Sequence, residues 1–410
     1  CVVKILGAEK VNYVNLRDYG GYDYNHIDSL VRISLFRFNQ KTQWPSRLKF
    51  LKISASFNQS INNLPEGLIY LHLGQDFNRG IKYLPSTLKY LNLGSNFNQQ
   101  YHYLPPSLTH LRYGEHFNQD INNLPSGLLH LQLSYDFNSE LILPDSLISL
   151  KLPNYPLNFT FPPNLKLLTT NEYLIPETVT HLTIQSNKRV HKYVTHLTVM
   201  CHNHDSYGNN NLVEFITSPN FMGSANDFPL TLKKLVLGDD FNNSVDLLPQ
   251  LTHLTFGLEF NQSVDCLPSS LKYLKFGYNF NKPIDKLPQI EYLKLGNEFD
   301  QPINNLPHSL KCLKLPGVFS QSVDELPELI NLHLGYCFRR KIDKLPVSLL
   351  RLKLHHMNDI SHLCNLQYFC CLEYNGELIP DSVKTMVVKK TAHVPRHVKY
   401  VIVKKWGKID

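Results

Sequence analysis

Two short stretches hold the residue types that bind metals: Cys201, His202, His204 and Asp205 in one, and His355, His356, His362, Cys364, Cys370 and Cys371 in the other. Imidazole nitrogen, thiolate and carboxylate are the donors of zinc-like sites, but neither stretch has the paired ligand spacing of a recognised site. The expectation is free thiols and surface histidines, with no metal. Nor does the chain contain a Gly-rich phosphate loop, a nucleophile elbow or an H-E-x-x-H helix. It reads as non-enzymatic and in need of no cofactor.

Contact chemistry is better represented. One series of positions carries Phe50, Tyr70, Tyr90, His110 and His130, then His181, His196, His253, Tyr273 and Tyr292. Two residues further along each copy stand Lys52, His72, Asn92, Arg112 and Gln132, then Lys275, Lys294, Lys314, His333 and Lys353. Aromatic rings beside cations are favoured at protein interfaces, because Tyr offers contact area at low entropic cost with a polar tip. Stacked lysines repel, which points to an acidic partner opposite them, or to internal compensation by Asp246, Asp265, Asp285, Asp324 and Asp343. The alternative is a solvated sheet face whose tyrosines stack for stability.

These positions recur because the chain repeats. From Leu68 it reads LIYLHLGQDFNRGIKYLPST, then LKYLNLGSNFNQQYHYLPPS from Leu88, a period of 20 residues. Phe anchors fall at 38, 57, 77, 97, 117 and 137, and again at 241, 260, 280, 299, 319 and 338. In L-x-x-L-x-L, alternation sends Leu71 and Leu73 to one face and Tyr70 and His72 to the other, a half-buried strand. The Gly that follows suits a turn needing permissive dihedrals. A Phe in register stacks in the core, and the Asn after it can satisfy backbone in adjacent turns. Where Asp300, Ser320 and Arg339 replace that Asn, the ladder is expected to break. Ile-x-x-Leu-Pro closes the unit, with Pro fixing a corner. So short a unit leaves little room for helix. Equivalent strands then pair in parallel about 4.8 Å apart, giving an all-β, leucine-rich-repeat-like solenoid of about twenty coils with one short strand each.

The array decays twice in the same way. LIPETVTHLTI at 174–184 matches LIPDSVKTMVV at 378–388, and VHKYVTHLTV at 190–199 matches VPRHVKYVIV at 394–403. The expected organisation is an irregular N-terminal coil region over 1–29, a half-array over 30–199, a junction over 200–229, a second half-array over 230–403 and a basic tail over 404–410. One irregular coil is expected inside the junction near Leu212–Ile216.

Residues 384–410 hold eight Lys and Arg against the single acid Asp410, which accounts for the whole formal charge of +7. The body is then formally neutral and has no long-range field to collect phosphates, so nucleic-acid binding through the tail and the Tyr/His/Lys face stands only as the alternative. The eight cysteines have no paired spacing, which favours a reducing compartment, the cytoplasm. N-x-[ST] matches at Asn58, Asn158, Asn242 and Asn261 are discounted, three of them being the Phe-Asn step followed by Ser. No apolar run is long enough for a membrane span and no signal peptide opens the chain.

The pattern L-x-x-L-x-L-G-x-x-F-N-x-x-I-x-x-L-P resembles the FNIP repeat, a leucine-rich-repeat-like family expanded in social amoebae and in giant viruses that infect amoebae. The resemblance is strong over about 30–152 and 230–354, weak over the plainer coils and absent from the junction. It implies a protein-protein interaction scaffold in the cytoplasm, of the host cell if viral. In that family the repeats often follow an F-box, which implies a substrate-recognition arm that joins ubiquitin-ligase core subunits. Residues 1–29 are too few for that helical domain and Val11–Leu16 reads as a strand, so the role requires an F-box upstream of Cys1.

Overall fold

The computed structural model describes residues 13–16, 31–35, 39–41, 43–53, 55–101, 103–121, 123–153, 157, 159–171, 174–184, 190, 192–200, 211–219, 221–222, 228–245, 248–356, 358–376, 379–388 and 394–403. Phe38, Asn158, the 201–205 cluster, Asp246 and the 404–410 tail lie outside them. The chain divides into two compact units, Cys1–Gln185 and Ser186–Asp410.

Among the described residues of the first unit ten strands follow one another: β1 (Tyr13–Leu16), β2 (Arg32–Leu35), β3 (Phe50–Ile53), β4 (Tyr70–His72), β5 (Tyr90–Asn92), β6 (His110–Arg112), β7 (His130–Gln132), β8 (Ser149–Lys151), β9 (Leu167–Thr169) and β10 (His181–Ile184). Among the described residues the second unit has twelve: β11 (His196–Val199), β12 (Glu214–Ile216), β13 (Lys234–Val236), β14 (His253–Thr255), β15 (Tyr273–Lys275), β16 (Tyr292–Lys294), β17 (Cys312–Lys314), β18 (Asn331–His333), β19 (Arg351–His356), β20 (Tyr368–Glu373), β21 (Thr385–Val388) and β22 (Tyr400–Val403). Within each unit every strand pairs in parallel with the next, so the fold is a leucine-rich-repeat-like β-solenoid. Among the described residues there is no helix, and hence none long and apolar enough to cross a membrane.

Register follows the repeat. Leu71 pairs with Leu91 and Leu91 with Leu111, all buried, while their strand neighbours stay on the open face. The Phe anchors form two offset stacks. Phe57, Phe77, Phe97 and Phe117 sit 5.9–6.2 Å apart with planes within 9°, and Phe241 to Phe338 continue the same geometry at 6.0–6.3 Å. Centroids further apart than the coil spacing mean slipped parallel rings, the arrangement their quadrupoles prefer.

Two expectations are corrected. The repeat glycines do not supply left-handed dihedrals, since Gly376 is the only described glycine at positive φ. They supply space: a Cβ at Gly94 would run into the Gly74 carbonyl, and one at Gly277 into that of Gly257. Nor does the Asn ladder break at Asp300. Each Asn Oδ1 accepts from the backbone N–H of the equivalent residue one coil on, as Asn78 Oδ1 does from Asn98 at 3.0 Å. Asp300 N–H donates to Asn281 Oδ1 at 3.1 Å, and its own Oδ1 accepts from Ser320 N–H at 2.7 Å. Only an acceptor oxygen is required, and a carboxylate has one.

The Leu-Pro corner is a turn closed by the next Leu, whose N–H donates to the Pro carbonyl, as Leu68 does to Pro65 at 3.0 Å. The Ser or Thr before that Leu is a staple between coils: the Ser107, Ser309 and Ser348 hydroxyls donate at 2.7–2.8 Å to carbonyls of the preceding coil. Tyr101 and Tyr113, from successive repeats, take aliphatic positions and bond hydroxyl to hydroxyl beside Phe117, and burial raises both phenol pKa values. Inside the 200–229 segment, β12 pairs in register with β11 and β13, so the ladder runs through it.

Candidate functional site

An in-register parallel ladder converts repeat spacing into side-by-side side chains, and this decides which candidate residues meet. On the open face of the second unit, Lys275, Lys294, Lys314, His333 and Lys353 are successive register partners. Beside them Tyr273 and Tyr292 stack at 4.2 Å with planes 8° apart, and the Lys314 ammonium lies 5.4 Å from the Tyr292 ring centre. His333 reports the field of this stripe: burial first, then Lys353, Lys314 and Lys294, hold its pKa down at about 4. Three corner carboxylates have partners other than the stripe, Asp285 Oδ1 accepting from the Asn305 side-chain amide at 3.3 Å. Asp265 pairs with Lys286 at 3.1 Å and Asp324 with Lys344 at 3.8 Å.

The first unit carries the longer aromatic run. Phe50, Tyr70, Tyr90, His110 and His130 are consecutive partners, and the last three rings are only 4.1 Å apart. Burial lowers the pKa of His110 and His130, and at His110 the neighbouring His130 adds to it. Arg112 is exposed beside this run and, after burial and Lys52, helps hold His72 at about 4. The run is interrupted elsewhere: Ser149 and Leu167 separate His130 from His181, and Glu214 and Lys234, paired at 2.6 Å, separate His196 from His253.

Several open-face histidines have a partner the column reading missed. Thr109 Oγ1 lies 2.9 Å from His110 Nδ1 and 3.1 Å from the Lys89 carbonyl, and Thr252 sits likewise at His253 and Lys233, at 2.9 Å to each. A hydroxyl that donates to a carbonyl accepts from the ring, so Nδ1 carries the proton and Nε2 is left as an acceptor. The signal is the recurring Thr-His-Leu of 109–111, 180–182, 195–197 and 252–254.

Of the metal-type residues, the structure brings His355 and His356 together with Glu373, their ligand atoms all within 4.8 Å of one another. Cys370 and Cys371 are buried and Cys364 is exposed. The sequence reading missed Glu373; its signal is that His355 follows Leu354 where the two preceding coils place Gly335 and Pro316.

The FNIP Repeat family matches residues 57–96, 77–116, 97–136 and 260–289. No curated protein sequence matches the chain. Among solved structures it is similar to CroV588, a circular LRR protein, at 27% identity over 98% of this chain and 76% of that one, with a TM-score of 0.53. Two further solved structures align more loosely. YopM from Yersinia enterocolitica WA-314 is 18% identical over 93% of this chain and 75% of its own, TM-score 0.28. InlJ of Listeria monocytogenes is 14% identical over 90% and 66%, TM-score 0.25.

Proposed function

From a chain that carries FNIP repeats in a leucine-rich-repeat-like solenoid, we propose a non-enzymatic scaffold that holds a protein partner against the open face of its strands. In the second unit the contact residues are Tyr273, Tyr292, Lys275, Lys294, Lys314, His333 and Lys353, and the partner segment is acidic. The observation that carries this is the in-register lysine stripe at about 4.8 Å spacing, whose field is felt by His333. Like charges held that close are relieved by an opposing charge, and an extended acidic strand laid across the coils supplies one per step. In the first unit Tyr70, Tyr90, His110, His130 and Arg112 form a nearly neutral aromatic patch suited to an apolar or hydrogen-bonding segment. The family resemblance extends the reading to the substrate arm of a ubiquitin-ligase adaptor, reached through an F-box upstream of Cys1.

The test uses a fluorescein-labelled acidic peptide and single-stranded DNA in parallel anisotropy titrations across a salt series. We expect the peptide to bind and the triple substitution Lys275→Ala, Lys294→Ala, Lys314→Ala to weaken it tenfold or more, with Tyr292→Ala weakening it further. Equal binding by the triple variant removes the stripe from the site. DNA bound more tightly than peptide, with a steep salt slope, would replace this reading with the nucleic-acid one.

A further inference from the structure

The geometry points to a divalent metal site of the zinc type formed by His355, His356 and Glu373. From β13 to β18 each strand has three residues, and the second position past its end is Gly or Pro, as at Gly296, Pro316 and Gly335. Among the described residues only β19 and β20 run to six residues, and this extension makes His356 the register partner of Glu373. Two departures from the repeat, in adjacent coils, therefore converge on one place.

The side chains there are arranged as donors. Glu373 Oε2 is 2.6 Å from His356 Nδ1, and its Oε1 is 3.5 Å from His355 Nε2, so one carboxylate faces both imidazoles. A tetrahedral cation with bonds of about 2.0 Å needs donors about 3.3 Å apart. His355 and Glu373 already stand near that separation, and the exposed Glu373 need move only a little from His356. The outer shell is in place as well. His356 Nε2 lies 3.1 Å from the Tyr336 carbonyl, to which it donates, leaving Nδ1 to face the site. The Cys371 thiol donates to the His355 carbonyl at 3.5 Å and steadies the strand behind.

Two imidazoles with one carboxylate select Zn2+ and its neighbours over Mg2+ and Ca2+, which prefer oxygen. Zinc takes the carboxylate and the neutral imidazoles, so protons compete with it for these donors and affinity falls as pH falls. Three protein donors leave the fourth position for water or for a donor from a bound partner.

The full chain is titrated with Zn2+ against a chromophoric chelator, and with Co2+ while visible absorption is followed. One tight site is expected, with the intense visible bands of four-coordinate Co2+. His356→Ala and Glu373→Gln should each weaken Zn2+ at least tenfold, whereas His362→Ala and Cys364→Ser leave it unchanged. Zn2+ should raise the Tm of the native chain but not of Glu373→Gln, and His355→Ala repeats the comparison should either variant fold poorly. Native affinity in both triad variants, or loss of the tight site in a His202→Ala, His204→Ala variant instead, would overturn the assignment.

Discussion

His333 is flanked along the stripe by Lys314 and Lys353, with Lys294 beyond, and its folded pKa of about 4 lies below the ordinary 6.5. A depressed pKa means that the unfolded chain takes up the proton first as pH falls. The stabilisation from keeping His333 neutral is therefore complete above pH of about 6.5, shrinks between about 6.5 and 4, and is gone below. Following the His333 ring signals by NMR should show titration near 4. Lys314→Met should raise that value without restoring 6.5, because burial is the larger cause and remains. A His333 that titrates normally would mean that the stripe carries no field. That these lysines line up was legible from spacing alone, since identical positions stack in a parallel ladder. What spacing hides is contact between positions that are not equivalent. Tyr101 meets Tyr113 of the next repeat, and Glu373 meets His355 one residue off its register partner, and neither follows from period or alternation.

At the scale of the coil, the Asn ladder separates what the repeat needs from what it usually contains. Asn98 Oδ1 accepts from Asn118 N–H and from the Gln119 side-chain amide, both at 3.0 Å, while Asn98 N–H donates to Asn78. Residue type alone suggested that the amide matters as a donor and an acceptor, so Asp300 looked like a break. The structure uses the oxygen and leaves the amide nitrogen out of the rail. Asn98→Ala should then cost about 1 kcal/mol in urea unfolding, the net worth of exposed hydrogen bonds. Asn98→Asp should cost less than half of that. If Asp proves as damaging as Ala, the amide nitrogen is part of the ladder after all. The glycine carries a similar lesson. Its need for space is set by the carbonyl of the neighbouring coil, which no reading within a single repeat reveals.

Across a whole unit, each coil touches little beyond the coils before and after it, so stability is close to a sum of coil terms and nearest-neighbour terms. Phe97 shows this clearly. It is fully buried, and its ring partners are Phe77 and Phe117, each at 5.9 Å. Removing the ring leaves a cavity that the stacked backbones cannot close, because their separation is fixed by the ladder hydrogen bonds. Phe97→Ala should therefore cost about 3–5 kcal/mol. In a compact globule that loss would be shared by every amide; in a solenoid it falls on the coils that lost contacts. Hydrogen exchange should show lowered protection over β4, β5 and β6 while β9 keeps its own, since β9 leans on β8 and β10 and on none of the three. A uniform fall from β3 to β10 would show instead that the first unit opens as one cooperative block, and its open strand face would then form or dissolve as a whole.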